Sequence, residues 1–423
     1  MIIHEPRITE SGGEVSVEAA IDLDRSAFEY PAALWFRFPA RYREHVTDRS
    51  DGFAAALLPL AMRLGEPLEV RGDLSYRLAH GLRDWQHIQS TWKPDLFHEV
   101  GVRFGRLVDA GAPPARGAVG TAFSGGVDSF HTLWTHLGDN EPYPPYRVSH
   151  CLIINGFDRD ADLDGVGSFA ALERVYAAMA AELGLDLVAV RTNAMQFLGP
   201  FIQKQAFAAF VTAPALVLGG LFARYYVPSS YKFTLLGLYP DGSHPMLDHL
   251  LATETMATIH DAGHLTRVDK TAAIAHWPAT FDRLRVCFNA TQVRAGADVV
   301  ENCCACEKCL RTMTTLHLLG VLEKFRCFPR PLERRAIRAL DYRHEGSRIF
   351  ADEIIAFAGE HGRPEIAADL RHAIFHSTRV RPAVRRLVRA SYAFEQRFWP
   401  YRLLVTPPKR ALQRLGVGRG WLY

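Results

Sequence analysis

A short glycine-containing segment between a strand-like run and a helical run constrains this chain more than any other feature. The segment, Ser124-Gly125-Gly126-Val127-Asp128-Ser129, directly follows the apolar stretch Ala118–Phe123. Two adjacent glycines at the end of a strand allow a tight turn and let the backbone come close to another group. The segment therefore predicts a strand, a turn and a helix in succession, which is the repeating unit of α/β folds.

The alternation of strand-like and helical runs continues beyond this segment. The predicted strands are Ala118–Phe123, Val148–Ile154 and Leu185–Val190, with another beginning near Tyr225–Val227, and the predicted helices are Asp128–Leu137, Ser168–Leu183 and Lys204–Leu221. Strands that alternate with helices favour an α/β fold with a doubly wound parallel sheet.

The rest of the chain has a different pattern on each side of this region. Residues 1–112 contain strand-like stretches and two helical ones, which predicts a β-rich α+β domain, and the Pro- and Gly-rich segment at 111–117 predicts a linker. We therefore expect four parts: the N-terminal domain over 1–112, an α/β domain with the glycine-containing segment over 117–280, a cysteine module over 281–325, and a helical, basic extension over 326–423.

Charge is distributed unevenly along the sequence. The whole chain has 49 basic and 46 acidic residues, whereas Arg371–Tyr423 has 12 basic residues and one acidic residue. The C-terminal segment thus carries +11 and residues 1–370 carry −8, which sum to the net charge of +3. Such a segment could pack on its own acidic body, or bind RNA, an anionic membrane surface or a partner protein.

The sequence gives no sign of a membrane span or a secretory signal. No apolar run reaches the roughly 18 residues that a spanning helix needs. The N-terminus, MIIHEPRITE, lacks a basic region followed by an apolar one. We therefore expect a cytoplasmic protein with reduced thiols, in which clustered cysteines favour a metal or redox site over a disulfide framework.

The hexapeptide has the residue types that an anion-binding loop needs. Its backbone N–H groups and the start of the following helix attract negative charge. Ser124 and Ser129 can donate hydroxyl hydrogen bonds to phosphate oxygens, and the Asp128 carboxylate can help to hold Mg²⁺. The segment lacks the spacing of a Walker A loop and of the dinucleotide-binding motif, so neither of those sites is predicted.

Four of the seven cysteines lie within seven residues of one another. Cys303, Cys306 and Cys309 have a C-x2-C-x2-C spacing, and Cys287, 16 residues upstream of the first, is the expected fourth ligand. Four thiolates at about 2.3 Å around one ion form a closed structural zinc site. Since ferredoxins use a similar spacing, an iron–sulfur cluster remains an alternative. Cys304 is predicted to be the spare cysteine.

A turn-rich segment, residues 239–248, lies between the two motifs. It contains Ser243, His244 and Asp248, and in an α/β sheet such loops often contribute to the ligand site. His244 could position a substrate or transfer a proton, because imidazole titrates near neutrality. An ordinary surface loop is the alternative interpretation.

The hexapeptide resembles the PP-loop of the ATP pyrophosphatase superfamily, also called adenine nucleotide alpha hydrolase-like, whose fold is HUP/Rossmann-like. The resemblance implies that the pyrophosphate of ATP is bound by Ser124, Gly125, Gly126, Val127, Asp128 and Ser129. It also implies that Asn155, at the end of the second strand, lies near the adenine. PP-loop enzymes commonly carry a lysine where a later helix begins. By this resemblance Lys270, together with Arg267, neutralises charge on the α-phosphate in the transition state. A solvated start of the helix predicted over Thr271–His276, with Asp269 as its cap, is the alternative.

A PP-loop followed by a cysteine ladder is similar to the 7-cyano-7-deazaguanine synthase branch of that superfamily. The run Cys306-Glu-Lys-Cys309-Leu-Arg311 is similar to the Cys-x-x-Cys-Leu-Arg run of those enzymes. The resemblance covers about residues 117–320 and implies ATP, Mg²⁺ and Zn²⁺ as cofactors. It implies a C–N ligase that adenylylates a small-molecule carboxylate, releases pyrophosphate and then uses ammonia or an amine.

Two other functions fit the same residues. One is a PP-loop sulfur transferase acting on tRNA, in which the cysteine ladder takes part in chemistry and the basic segment holds RNA. The other is a non-catalytic regulatory protein that binds ATP. Dependence of pyrophosphate release on a small acid, on tRNA or on neither distinguishes the three.

Overall fold

A computed structural model describes residues 1–23, 29–114, 117–157, 165–233, 242–287, 292–294, 297–384 and 386–387. Part of the predicted turn-rich segment, residues 239–241, and part of the basic C-terminal segment, residues 385 and 388–423, lie outside these ranges. The chain divides into two units: residues 1–303 with 319–329, and residues 304–318 with 330–423.

The first unit contains all the described strands. They are β1 (Ile2–Ile3), β2 (Arg7–Ser11), β3 (Glu14–Asp22), β4 (Ala33–Pro39), β5 (Leu68–Ser75), β6 (Val102–Val108), β7 (Ala118–Ala122), β8 (His150–Asn155), β9 (Asp186–Thr192), β10 (Phe222–Pro228), β11 (Ala257–Asp261), β12 (Gln292–Arg294) and β13 (Val299–Glu301). Its described α-helices are α1 (Asp51–Leu64), α2 (Tyr76–Trp92), α3 (Val127–Thr135), α4 (Gly165–Glu182), α5 (Ala194–Gln205), α6 (Phe207–Val217), α7 (Pro245–Asp248) and α8 (Arg267–Ile274).

Eleven strands form one sheet. Ten of them follow the order β11-β10-β7-β8-β9-β4-β3-β1-β5-β6, and the eleventh, β2, pairs with β3. The five strands from β11 to β9 are all parallel, and chain order along them is 5-4-1-2-3. This is the strand order of a doubly wound sheet. The chain adds strands in one direction from β7 to β9 and in the other direction from β10 to β11, so the order reverses between β7 and β10. The predicted mixed α/β architecture with a large, mostly parallel sheet is therefore confirmed.

Strands from the first hundred residues extend this sheet. β4 pairs antiparallel with β9, and Phe36 lies opposite Thr192. The buried side chains of β3 and β4 alternate with more exposed ones, as expected for half-buried strands, and they join one core with α1 and α6. The predicted domain boundary at 112–117 thus falls between β6 and β7 of a continuous sheet.

One predicted helix is wrong in its extent. The apolar run Lys204–Leu221 predicts a single helix, whereas α5 ends at Gln205 and α6 occupies Phe207–Val217. Ala206, between them, has φ −129° and ψ 31°, which is not helical. Both helices are apolar over much of their length, so periodicity alone does not reveal the break.

The second unit is helical in its described part. Its α-helices are α9 (Glu307–Leu318), α10 (Arg334–Ala339), α11 (Glu345–Glu360) and α12 (Pro364–Phe375), and a π-helical turn, His376–Val380, follows α12. Arg334 and Arg338 of α10 both pair with the buried carboxylate of Asp369 in α12. Among the described helices of the protein, none is long and apolar enough to span a membrane.

Candidate anion-binding loop and cysteine centre

The predicted anion-binding loop joins β7 to α3 and is closed by its own serines. Ser129 Oγ donates to the Gly126 carbonyl at 3.0 Å, and the Gly126 N–H donates to Ser124 Oγ at 3.3 Å. The Ser124 N–H in turn donates to Ser129 Oγ at 3.3 Å. These bonds fix the turn before any ligand is bound, so the loop is preorganised at the N-terminus of α3.

Gly125 is at a position that only glycine fits. Its φ is +74°, in the left-handed region that other residues rarely adopt. A Cβ atom here would lie 1.9 Å from Tyr176 Oη. Tyr176, on α4, is fully buried, and its hydroxyl donates to the Arg283 carbonyl at 3.0 Å. The loop therefore lies directly against α4.

Arg285, which sequence reasoning did not identify, also contacts the loop. Its backbone N–H donates to the Gly125 carbonyl at 2.6 Å, and its guanidinium Nη1 donates to the Ser124 carbonyl at 3.4 Å. Arg285 belongs to no motif, and its contact with residues some 160 positions earlier is tertiary. Its position two residues before Cys287 was the only available signal.

Two cations on α8 meet the carboxylate of the loop. Arg267 Nη2 lies 2.8 Å from Asp128 Oδ2, and Lys270 Nζ lies 3.9 Å from Asp128 Oδ1. Lys270 is 1% exposed, and its ammonium donates to the Ser229 carbonyl at 2.6 Å. The structure thus brings together Asp128, Arg267 and Lys270, which the sequence analysis had placed in one site.

The start of α8 differs from the predicted one. The sequence predicts a helix from Thr271 with Asp269 as its cap, whereas α8 begins at Arg267 and its N-cap is Thr266. Asp269 is the third helical residue and forms a capping box with Thr266. Because the helix starts four residues earlier, Arg267 and Lys270 both lie in its first turn. They are three residues apart, so both side chains can face Asp128.

These groups lie around the point between β7 and β10 where the strand order of the parallel sheet reverses. The loop follows β7, and Ser229 and Ser230 follow β10, the neighbouring strand on the other side of the reversal. Arg267 Nη2 also donates to the Ser230 carbonyl at 3.4 Å, so it contacts both sides. Doubly wound sheets bind their ligands in this crevice, at the carboxyl ends of the strands.

His131 is a second residue that sequence reasoning missed. It lies one turn after Asp128 on α3 and is 3% exposed. Burial lowers the pKa of His131 to about 4, because it outweighs the opposing charge of Asp261 and is reinforced by the charge of Lys270. A neutral imidazole therefore lies beside the site at pH 7. No motif indicates it, because its environment is created by β11 and α8.

A buried imidazole–carboxylate network adjoins this region. His136 Nδ1 lies 2.6 Å from Glu141 Oε2, and His136 Nε2 lies 3.0 Å from Asp261 Oδ1. Thr132 Oγ1 donates to the other oxygen of Asp261 at 2.6 Å. Burial lowers the pKa of His136, but its bonds to the two carboxylates outweigh burial and raise the pKa above its usual value.

This network predicts a pH dependence of stability. The raised pKa of His136 gives stability that is fully present below the unfolded value of about 6.5 and is lost as pH rises through the folded value. We expect the free energy of unfolding to fall above neutral pH with a slope of at most about 1.4 kcal/mol per pH unit from this residue. His136→Gln should flatten that part of the profile in urea titrations at pH 6 to 9. An unchanged profile would contradict the assignment.

The turn-rich segment forms a separate polar cluster in its described part. Ser243 Oγ donates to Asp248 Oδ2 at 2.7 Å, and the His244 N–H donates to Asp248 Oδ1 at 3.0 Å. His244 Nδ1 accepts from the Met246 N–H at 3.0 Å, and the ring meets the edge of Trp92. The Nδ1 atom of His244 therefore caps α7, and a role for this residue in catalysis stays a prediction.

Asn155 lies at the end of a strand, and Val127 lies at the start of a helix. Asn155 is the last residue of β8, which pairs with β7 in the parallel sheet. Val127 is the first residue of α3 and is 2% exposed, so its side chain belongs to the core. Its contribution to an anion site would come from its backbone N–H alone.

The four predicted metal ligands come together. The sulfur atoms of Cys287, Cys303, Cys306 and Cys309 all lie within 4.8 Å of one another. Cys306 and Cys309 flank the start of α9, with their sulfurs 3.4 Å apart. Cys287 and Cys309 are buried, whereas the other two are partly exposed. The cluster could hold a metal ion, as the spacing predicts.

Asn302 fixes the segment that carries Cys287. Its Oδ1 accepts from the N–H groups of Val286 and Cys287 at 2.9 and 3.1 Å. Its Nδ2 donates to the carbonyls of Leu284 and Cys327 at 2.8 and 3.1 Å. One buried amide thus uses both of its donors and accepts two bonds, which orders residues 284–287 between the loop and the cysteine centre.

Arg311, which follows the last cysteine, is directed toward its own helical unit. Its guanidinium lies 3.3 Å from Glu307 Oε1 and stacks over the Phe350 ring at 4.1 Å. These contacts give Arg311 a packing role between α9 and α11.

Comparison with known proteins gives no match: no family model, no curated protein and no solved structure is similar enough to identify the chain.

Proposed function

We propose that the chain is an ATP-dependent ligase of the PP-loop type, which adenylylates a small-molecule carboxylate and then transfers ammonia or an amine. One observation carries this proposal. The glycine loop lies where the strand order of the parallel sheet reverses, between β7 and β10, and Arg267 and Lys270 meet its carboxylate. Arg285, whose guanidinium donates to the Ser124 carbonyl, adds a third cationic side chain beside the loop. Cationic side chains around an anion-binding loop suit a polyphosphate.

In the proposed reaction the loop holds the pyrophosphate part of ATP. A substrate carboxylate oxygen attacks the α-phosphorus, and the bond from this phosphorus to the pyrophosphate oxygen breaks. Lys270 and Arg267 stabilise the negative charge that develops there. The amine then attacks the acyl carbon, and AMP leaves with the bonding electron pair. The adjacent neutral His131 adds no positive charge to the site.

Asp128 fits the role of a Mg²⁺ ligand. Its Oδ1 atom is buried and has no hydrogen-bond partner in the described part of the chain, although carboxylate oxygens prefer one. Oxygen donors of this kind are what Mg²⁺ prefers, and the ion would supply charge neutralisation at the phosphates. The ammonium of Lys270, 3.9 Å away, attracts this oxygen by its charge but is too far to donate a hydrogen bond to it.

We propose zinc for the cysteine centre. Four thiolates on one tetrahedral ion at about 2.3 Å have sulfurs about 3.8 Å apart, and the observed spacing within 4.8 Å is compatible with that. In an iron–sulfur cluster the four thiolates are divided between two or four irons, which separates thiolates on different irons further. With all four positions taken by protein ligands, the ion would be structural.

The experiment that tests the proposed function is pyrophosphate–ATP exchange with Mg²⁺ and a panel of carboxylic acids. We expect exchange that depends on one class of acid. Asp128→Asn, which preserves shape, should reduce exchange by about 100-fold or more, as for other groups that stabilise transition-state charge. Asp84→Asn on the exposed side of α2 is the matched control and should leave exchange unchanged.

Other outcomes would favour the alternatives. Exchange that appears only with tRNA, together with iron in the cysteine centre, would favour the sulfur transferase. Tight ATP binding without exchange under any substrate would favour a regulatory protein. Equal exchange by wild type and Asp128→Asn would overturn the assignment of the loop.

A further inference from the structure

The described end of the helical unit has one exposed face. α12 continues through the π-helical turn, and residues 381–384 and 386–387 are also helical. The buried positions are Ile366, Ala367, Asp369, Leu370, Ala373 and Ser377. The exposed positions recur every three or four residues, at Ala368, Arg371, His372, Phe375, Arg379, Ala383, Arg386 and Leu387. We call these exposed residues the basic face.

The basic face combines positive charge with large apolar side chains. Phe375 is 61% exposed and Leu387 is 64% exposed, both among the most exposed large apolar residues of the described chain. Arg371, Arg379 and Arg386 lie among them. Apolar side chains that project beside arginines are typical of helices that lie at a membrane surface.

Two carboxylates of this unit are paired with arginines outside the basic face. Asp369 pairs with Arg334 and Arg338, and Asp341 pairs with Arg343 and Arg381. Within the described ranges, no ion pair involves any of the three arginines of the basic face. Their charge is therefore not neutralised by the residues that the structure describes, and it can act on an external anion.

The sequence that follows the basic face has the same character. Residues 388–423 contain seven basic residues, seven aromatic residues and one acidic residue. Tyrosine and tryptophan are favoured where an apolar layer meets water, and clustered basic residues attract anionic headgroups.

We propose that the basic face binds the anionic headgroups of a lipid bilayer and holds the enzyme at a membrane surface. Arginines supply the electrostatic attraction, and Phe375 and Leu387 insert below the headgroups. A surface that binds RNA needs positive charge and stacking groups, whereas an exposed leucine beside the arginines gains little from RNA. The apolar pair is therefore what favours lipid.

The test is co-sedimentation of the full chain with vesicles of about 30% phosphatidylglycerol in phosphatidylcholine. Wild type should bind these vesicles, bind pure phosphatidylcholine far less, and dissociate at high salt. Each arginine near an anionic surface contributes about 5-fold to partitioning, so the triple variant Arg371→Glu, Arg379→Glu, Arg386→Glu should bind roughly 100-fold more weakly. The double variant Phe375→Ser, Leu387→Ser should also bind more weakly, at unchanged charge.

A matched control keeps the same change in net charge elsewhere. Arg83→Glu, Arg330→Glu, Arg348→Glu alters three other exposed arginines and should leave vesicle binding within about 5-fold of wild type. Equal weakening by both triple variants would show that only net charge matters and would overturn the proposal. So would RNA binding that competes fully with vesicles and is insensitive to the Phe375→Ser, Leu387→Ser pair. Pyrophosphate exchange, measured in parallel, reports separately on the proposed function.

Discussion

Cys309→Ser is expected to abolish metal binding and to destabilise the protein by several kcal/mol. Cys309 is fully buried in the first turn of α9, with its sulfur 3.4 Å from that of Cys306. A serine hydroxyl is a poor ligand for zinc, and the remaining three thiolates would leave the site open. The apparent binding free energy of structural zinc is about 10–16 kcal/mol in small domains, so even partial loss is large beside a typical folding free energy.

The measurement is zinc released per chain after denaturation, together with the urea midpoint of unfolding. Cys304→Ser is the matched control, because Cys304 is a neighbouring cysteine outside the four-sulfur cluster. It should retain one metal ion per chain. Full metal content in Cys309→Ser, or equal loss in both variants, would refute the ligand set.

Gly125→Ala is expected to prevent nucleotide binding and to cost about 2–5 kcal/mol of stability. A left-handed backbone costs a residue with a Cβ about 1–2 kcal/mol, and an added methyl group in a packed environment costs about 1–3 kcal/mol. The new Cβ would overlap the buried phenol of Tyr176, so the loop must move away from α4. The N–H groups at the start of α3 would then no longer converge on a phosphate.

Gly184→Ala is the matched control for this variant. Gly184 also has a left-handed backbone, with φ +69°, but no atom lies within 4 Å of a built Cβ. It should lose only the backbone part of the stability and bind ATP normally in calorimetric titrations. If Gly125→Ala binds ATP as tightly as Gly184→Ala does, the loop does not contact the nucleotide.

Local patterns predicted those parts of the molecule that local chemistry determines. The strand–glycine–helix succession at β7 and α3, and the two-residue spacing of the cysteines, are fixed by backbone geometry over a few residues. The pairing of β4 with β9 was not predicted, because strands about 150 residues apart meet through the packing of the whole sheet. The break at Ala206 was missed for a related reason, since the flanking helices are apolar over much of their length.

The candidate site divides in the same way. Lys270 and Arg267 were predicted from the resemblance to PP-loop enzymes, which commonly carry a lysine where a later helix begins, whereas the cap of that helix is Thr266 and not Asp269. Arg285 and His131 were missed because each acquires its role through tertiary contacts. Asn302 was missed as well, since a single asparagine in a cysteine-containing segment has no sequence signature of its hydrogen bonds.

The segment that Asn302 orders has a thermodynamic consequence. Residue 285 bonds to the glycine loop and residue 287 belongs to the cysteine centre, so an anion at the loop and a metal at the cysteines would share residues 284–287. Linkage requires reciprocity between two such binding events. If a bound metal changes the affinity for an anion at the loop by some factor, a bound anion must change the affinity for the metal by the same factor. Chelator resistance would then report how fully the loop is occupied.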